Sequence, residues 1–258
     1  VLVPTVIAAS IAVLLVASGS IYLYSPARNI PTSEGYLMLI PLNVSGNNLY
    51  GASFEVVTTI LWDHRGIDTY YETAVLFVAI VAALTIGGEK ILTIAEGGKE
   101  YTVIVRTVVK VMIPLIIAVS LSVAFHGHLT PGGGFQGGSI FGVAPLLAVL
   151  AFGTEALKRL KARIGGLLSL RVLGVVSIAF IALGPVLVGA IRHLGALYVF
   201  LNQPKAWIEL GYPAVIPAPW GNVLLSGTLF WLNVSEFIAV STGFFLAFVY
   251  LENYLSSK

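Results

Sequence analysis

Five ionisable side chains lie close together between Trp62 and Glu72, and the carboxylates among them could bind or exchange cations. The five are Asp63, His64, Arg65, Asp68 and Glu72. One interpretation is structural: Thr69 caps the start of a helix, Glu72 completes a capping box, and Asp68 favours the positive end of the helix dipole. The other interpretation is an acidic vestibule that concentrates cations before they enter a path. Composition alone favours the structural interpretation.

A single carboxylate, Glu236, interrupts an otherwise uncharged run that reaches Leu251. An ionised carboxylate at the middle of a membrane costs roughly 2.5–3.5 kcal/mol on insertion scales. Glu236 is therefore expected to face protein or water, to be protonated much of the time, or to pair with a cation. Asn233 and Gly243 share its helical face. Ion exchange and simple packing, as a neutral acid bonded to a neighbouring subunit, both remain open for Glu236.

A glycine-rich segment runs from His126 to Gly138. Its candidate structural residues are His128, Gly132, Gly133, Gly134, Gly137 and Gly138. Three of the glycines fit the dinucleotide pattern G-x-G-x-x-G, but that fingerprint needs a preceding strand in a βαβ unit, which is missing here. We interpret the segment as a tight hairpin whose small residues also serve helix packing. His126 and His128 are expected to be surface or interface residues, and no metal site is expected.

The composition excludes several classes of protein. Of the 258 residues, 57% are hydrophobic and only 10% are charged, with a net charge of +2. Soluble domains carry about 25% charged residues, so a soluble enzyme, a nucleic-acid binder and a disordered tail are all disfavoured. The chain has no cysteine and few other metal ligands, so no cofactor is expected and any redox chemistry must lie on a partner. An intramembrane enzyme is disfavoured because no nucleophile lies clearly opposite the histidines.

The charged residues divide the chain into apolar runs of the length that a membrane helix needs. Six spans are predicted, over residues 3–24, 68–88, 107–125, 135–154, 172–191 and 226–251. The fold class is therefore an all-α polytopic membrane protein. No basic segment precedes the first span, so a cleaved signal peptide is not expected.

The distribution of basic residues predicts the orientation. Ten of the fourteen Lys and Arg fall in segments 89–110 and 155–171 or at Lys258. Because basic loops favour the cytoplasmic side, both termini are predicted to be cytoplasmic, in a multi-pass protein of the cell membrane. The basic run at 158–163 is interpreted as an orientation anchor in contact with membrane lipid.

Two motifs together resemble a known family. Residues 60–69, Ile-Leu-Trp-Asp-His-Arg-Gly-Ile-Asp-Thr, with Glu72, resemble a signature of small subunits in multisubunit Mrp-type sodium/proton antiporters. Gly127-His128 and residues 131–138, Pro-Gly-Gly-Gly-Phe-Gln-Gly-Gly, are similar to the glycine signature of the B subunit of that family. His64, the pair Tyr70-Tyr71 and the pair Leu129-Thr130 depart from the usual Mrp pattern and favour the redox-complex branch.

The resemblance implies a division of the chain. Residues 1–95 resemble the E-type subunit of archaeal membrane-bound hydrogenases, and the end of the large Mrp antiporter subunit. Residues 96–258 are similar to their B/F-type subunit. The implied protein is a subunit, not itself redox-active, of a hydrogenase or sulfane sulfur reductase complex related to complex I. Its implied partners are other antiporter subunits and the redox arm of the complex.

Two functions follow from these expectations. In the first, the chain lines a sodium or proton path, with Glu236 as exchange site and the acidic cluster as outer mouth. The path residues are then Glu236, Asn233, Asp68, Glu72, Arg65 and Asp63. The role of Glu236 rests on membrane energetics and not on the resemblance. In the second, the chain is a purely structural subunit that packs the antiporter module without an ion path of its own.

Overall fold

The structure is a computed structural model, and it describes residues 53–87, 102–152, 164–193, 200, 212–213 and 215–256. All of these lie in one compact unit, Met38–Lys258; a second unit comprises Val1–Leu37. The predicted first span, 3–24, lies outside the described residues.

The described elements are seven helical segments and two strands. In chain order they are α1 (Val56–Thr59), a π-helical turn (Ile60–His64), α2 (Gly66–Gly87), α3 (Val103–Phe125), α4 (Gly134–Phe152), α5 (Ile164–Ile191), β1 (Val215–Ala218), β2 (Gly221–Leu224) and α6 (Thr228–Ser256).

Five helices in the described part of the chain, α2 to α6, are long and apolar enough to cross a membrane. They coincide with the second to sixth predicted spans, so the prediction of an all-α polytopic membrane protein is confirmed. Long uncharged runs favour this outcome because a helix satisfies all of its backbone polar groups within one segment.

Two of the predicted helix starts are wrong. α5 begins at Ile164, eight residues before the predicted start at 172, because Arg171 is buried inside the helix and does not belong to a loop. α2 begins at Gly66, so Thr69 lies within its first turn and is not the N-cap. The Thr69 hydroxyl instead donates a hydrogen bond back to the carbonyl of Leu61 at 2.7 Å.

Helix α6 lies at the centre of the described bundle and packs against α4, α5 and α2, while α3 packs mainly against α4. Small residues allow the close approaches: a Cβ at Gly174 of α5 would meet Ala239 of α6 at 2.7 Å, and one at Gly138 of α4 would meet Val240 at 2.8 Å. Because glycine has no side chain at these two contacts, the backbones of α4 and α5 lie close to α6.

A short antiparallel hairpin precedes α6 and is absent from the sequence-based prediction. Its strands pair from Val215 opposite Leu224 to Ala218 opposite Gly221, and the turn contains Pro219 and Trp220. Both strands are only four residues long and the first contains a proline, so they carry little strand signal in the sequence. The hairpin places Leu224 in contact with the glycine-rich turn between α3 and α4.

Candidate functional site

Glu236, the ninth residue of α6, faces the beginning of α4. Only 5% of it is exposed. The backbone N–H of Phe135, the second residue of α4, donates a hydrogen bond to its carboxylate oxygen Oε2 at 3.1 Å. The first N–H groups of a helix have no partner within the helix, and its dipole favours negative charge there. The start of α4 is therefore a binding site for the Glu236 carboxylate.

The glycine motif makes this contact possible. A Cβ at Gly134 would lie 2.7 Å from the Cβ of Glu236 and 2.8 Å from its Oε2, so a larger residue could not occupy this position unless a neighbour moved. The preceding turn uses the positive φ angles of Gly132 and Gly133, 157° and 145°, which other residues adopt rarely. A Cβ at Gly137 would lie 2.7 Å from that of Ala124 in α3. The glycines thus seat α4 between α3 and α6.

Asn233 lies one turn before Glu236 on α6 and is 1% exposed. The indole N–H of Trp62 donates a hydrogen bond to the amide oxygen of Asn233 at 3.2 Å. The Asn233 amide nitrogen Nδ2 is buried and has no hydrogen-bond partner among the described residues. Asn233 therefore links the π-helical turn to α6 and keeps a buried donor beside Glu236.

A cavity of about 170 Å³ lies beside Glu236 and Asn233. Its lining includes Glu236, Asn233, Glu72, Gln136 and Thr58. Further lining residues are Leu61, Trp62, Thr69, Gly132, Gly133 and Phe135. The side chain of Glu72 is exposed, whereas Glu236 is buried, so the two carboxylates mark the outer and inner limits of the cavity. Its volume is sufficient for several water molecules or for a partly hydrated cation.

The remaining predicted path residues line a different cavity. Asp63, Arg65 and Asp68 surround a space of about 360 Å³ together with Gly66, Ile67, Tyr71 and Phe200. Arg65 and Asp68 form an exposed ion pair one turn apart. Such exposed pairs contribute little stability. The structure thus brings Glu236, Asn233 and Glu72 together and leaves Asp63, Arg65 and Asp68 in a separate group.

His128 is buried, with 2% of its surface exposed, contrary to the expectation of a surface or interface histidine. Its ring nitrogen Nε2 lies 2.8 Å from the carbonyl oxygen of Leu224 in the hairpin, so Nε2 carries the hydrogen. Its own carbonyl accepts hydrogen bonds from the Ser53 hydroxyl and the Glu55 N–H. Burial lowers the pKa of His128; the bond to Leu224 opposes this, and the charge of nearby His126 adds to it.

Two buried charged residues are missing from the sequence-based candidates. Arg171 of α5 is 0% exposed, whereas the sequence predicts a loop there because a charge normally ends a span. The apolar residues on both sides of it are the signal that places it inside a helix. Glu55 is 8% exposed, and its carboxylate accepts the N–H of Thr58 at the start of α1. A helix of four residues gives no periodicity from which this cap could be predicted.

Comparison with solved structures shows the fold. One chain of the membrane-bound sulfane sulfur reductase, an archaeal respiratory membrane complex, superposes with a TM-score of 0.59 at 23% identity, over 98% of this chain and 97% of that chain. A chain of the Mrp complex from Dietzia sp. superposes with a TM-score of 0.58 at 22% identity, over 96% of this chain and 26% of that one.

Comparison with known sequences adds the family. An uncharacterised protein of Methanocaldococcus jannaschii is 29% identical, over 72% of each chain. The antiporter subunit mnhB2 of Staphylococcus haemolyticus is 36% identical over 112 residues, which cover 43% of this chain and 72% of the relative. The model of a domain related to the MnhB subunit of Na+/H+ antiporters matches residues 104–246, more than half of the sequence. The chain therefore belongs to the family of proteins with a domain related to the MnhB subunit of Na+/H+ antiporters.

Proposed function

We propose that this protein contributes a cation-exchange site to the Na+/H+ antiporter module of a larger redox-driven complex. In this proposal Glu236 binds a proton or a sodium ion inside the cavity, and Glu72 attracts cations at its outer limit. The whole complex is then an oxidoreductase coupled to ion transport, of the hydrogenase or sulfane sulfur reductase type, and this chain itself carries no redox group.

One observation carries the proposal: two carboxylates, Glu236 and Glu72, face the same cavity, and none of its described lining residues is a lysine or an arginine. Two like charges in one partly buried site repel each other. A proton or a metal cation relieves that repulsion. The cavity therefore favours a cation as its occupant.

The chemistry of the lining suits the exchange of a proton for a sodium ion. Hard cations prefer carboxylate, carbonyl and water oxygens, and the cavity offers the two carboxylates and the side-chain amide of Gln136. The N–H of Phe135 supports the charged form of Glu236 when no proton is present. Exchange needs Glu236 to adopt both its protonated and its charged form. The hydrogen bond from Phe135 stabilises the charged form, and no fixed cation among the cavity's described lining residues is needed for this.

The partners and the orientation belong to the same proposal. The partners are other antiporter subunits, the redox arm of the complex and membrane lipid. Both termini lie in the cytoplasm, and the sequence divides at residues 95 and 96 into a two-span piece and a four-span piece. The support is the resemblance of two motifs, the distribution of basic residues, and the fold that this chain shares with chains of the sulfane sulfur reductase and Mrp complexes.

A second function has its own supporting observation. Because Glu236 accepts the N–H of Phe135 and fits tightly against Gly134, it could act solely as a cap that fixes α4 to α6. The chain would then be a structural subunit without an ion path. A substitution that keeps the hydrogen-bond acceptor and removes the titratable acid separates the two functions.

The variant Glu236→Gln makes this separation. Its amide oxygen can still accept the N–H of Phe135, whereas the side chain no longer exchanges a proton or carries a charge. We expect the complex to assemble and sodium-dependent transport in proteoliposomes to fall at least about tenfold, the effect of roughly 1.4 kcal/mol. Glu72→Gln should raise the sodium concentration needed for half-maximal transport.

Glu55→Gln is the matched control, because Glu55 is a buried carboxylate that also caps a helix but does not line the cavity. Its transport should equal that of the wild type. Normal sodium-dependent transport by an assembled Glu236→Gln complex would exclude the exchange role and leave the structural function.

A further inference from the structure

Arg171 is a buried cation that the proposed exchange site does not use. It is the eighth residue of α5, and its side chain lies fully buried where α5 meets α6 and α2. A charged residue buried within a membrane helix is costly, and such residues usually line a path or pair with an opposite charge.

None of the contacts of Arg171 with the described residues involves a carboxylate. Its Nη1 donates a hydrogen bond to the carbonyl oxygen of Ala239 at 2.7 Å, and its guanidinium carbon lies 5.5 Å from the centre of the Phe77 ring. Its Nε and Nη2 atoms have no hydrogen-bond partner within the described part of the chain. Gly243 of α6 provides the space, since a Cβ there would overlap the guanidinium group.

Packing alone does not account for an arginine at this position. An apolar side chain of similar volume, such as methionine, would fill the space without burying two unpaired donors and a positive charge. Residues that leave buried polar atoms unsatisfied in a native structure need a further explanation. The positive charge itself is the property that an apolar residue could not provide.

The position of Arg171 along α6 relates it to the exchange site. Ala239 and Gly243 come three and seven residues after Glu236, which is about 4.5 and 10 Å further along the helix axis. The cavity lies on the other side of Glu236, towards Glu72. Arg171 therefore stands between the cavity and the end of the bundle where α5 begins and α6 ends.

We propose that Arg171 is a selectivity residue whose fixed positive charge stops sodium ions and protons from leaking between the Glu236 cavity and that end of the bundle. The inference rests on the proposed function, because it assumes that cations occupy the cavity. The charge of Arg171 acts on a cation that moves past it. At a distance of about 10 Å and an effective dielectric constant of about 20, a unit charge disfavours such a cation by a factor on the order of ten. With this barrier in place, cations reach the cavity from the Glu72 side.

The test compares Arg171→Gln with Arg171→Lys in the assembled complex, reconstituted into proteoliposomes with no driving reaction. An imposed sodium or pH gradient is followed with a sodium-sensitive or pH-sensitive dye. We expect the glutamine variant to dissipate the gradient on the order of ten times faster than the wild type. Vesicles with the lysine variant should hold the gradient as long as the wild type does, because lysine keeps the positive charge.

Ile178→Val is the matched packing control, since Ile178 is fully buried in the same helix and carries no charge. It should not leak. The inference is overturned if the glutamine variant assembles and stays tight, or if the lysine variant or the packing control leaks as fast as the glutamine variant. Arg171→Met supplies the neutral comparison if the glutamine variant does not assemble. If neither neutral variant assembles and the lysine variant does, the role is structural and the inference is wrong.

The same vesicles separate this inference from the proposed function. If Glu236→Gln loses transport while vesicles with Arg171→Gln hold their gradient, the barrier role of Arg171 is wrong and the exchange role of Glu236 is retained. Normal transport in Glu236→Gln with a leaking Arg171→Gln complex overturns the exchange role of Glu236 and, with it, the placement of the barrier beside the Glu236 cavity.

Discussion

His128 illustrates how one buried side chain ties three segments of the chain together. Its ring contacts the hairpin through the carbonyl of Leu224, and its backbone carbonyl accepts hydrogen bonds from Ser53 and from Glu55. The ring also lies edge-on to that of Phe230, with the centroids 5.6 Å apart. These bonds hold the glycine-rich turn in place above the beginning of α4, and so they support the position of Glu236 indirectly.

The titration of His128 should make stability depend on pH. Because burial lowers the pKa of His128 in the folded protein, the unfolded chain takes up a proton first as the pH falls below about 6.5. The stability contributed by the neutral ring is therefore present above that pH and is lost progressively below it. We expect the melting temperature of the purified complex to fall between pH 7.5 and about 5.5.

His128→Gln checks this prediction, because its amide nitrogen can replace Nε2 as donor to Leu224 and does not titrate in this range. The fall in melting temperature should be smaller in this variant than in the wild type. His193→Gln serves as a control, since His193 is exposed and does not affect the pKa of His128. Equal pH dependence in the wild type and His128→Gln would contradict the assignment.

At the scale of elements, the contact between α4 and α6 depends on glycines. Gly134 and Gly138 lie one turn apart on α4 and face Glu236 and Val240 of α6. An added methyl group at either position meets a helix that is itself packed against α5. The contact therefore cannot adapt to larger residues without a movement of a whole helix.

Gly134→Ala should weaken the association of α4 with α6. The added Cβ would collide with the Glu236 side chain, and overpacking of this kind typically costs about 1–3 kcal/mol. We expect a lower melting temperature of the complex together with reduced transport. Gly165→Ala is the matched control, because nothing lies within 4 Å of a Cβ at that helical position. A Gly134→Ala complex as stable as the control would show that α4 can shift freely.

The sequence predicts the spans well because length and apolarity are local properties. It does not predict which helix faces which, and the bond between Phe135 and Glu236 joins residues 101 positions apart. Arg171 shows the second reason for failure: a charge normally ends a span, but here a carbonyl of α6 and an aromatic ring of α2 surround it. The hairpin is not predicted because its strands are only four residues long and the first contains a proline.

For the candidate site, the sequence identified individual residues but not their grouping. Membrane energetics alone singled out Glu236 and, through helical spacing, Asn233. In the first of the two predicted functions, the acidic segment from Asp63 to Glu72 forms a single outer mouth. Asp68 and Glu72 lie one turn apart on the same face of α2, yet Glu72 lines one cavity and Asp68 lines another. This division depends on which neighbouring segments pack against each turn of α2, and the sequence alone does not predict that packing.

At the scale of the whole molecule, the proposed orientation can be tested directly because the chain contains no cysteine. Single cysteines in place of Trp220, at the exposed tip of the hairpin, and of Lys258 should react with a membrane-impermeant maleimide from opposite sides. We expect Lys258→Cys to react from the cytoplasmic side and Trp220→Cys from the outside.

Inside-out and right-side-out vesicles that contain the complex provide the measurement, and the cysteine-free wild type gives the background. Reaction of both positions from the same side would contradict the predicted topology. Reaction of Lys258→Cys from the outside alone would reverse the orientation and, with it, the assignment of Glu72 to the outer mouth.

The exposure of Glu72 has a consequence for how long an unassembled copy of the protein persists in the cell. It is the seventh residue of α2, and its carboxylate is exposed on the surface of the chain within a membrane-spanning helix. In the proposed complex, water at the mouth of the cavity solvates this group, whereas in a copy without its companions acyl chains would lie against it and solvate it poorly. A copy made in excess of its companions would therefore insert less securely and be a ready substrate for membrane proteases. Cellular quality control could in this way match the amount of the subunit to that of its assembly.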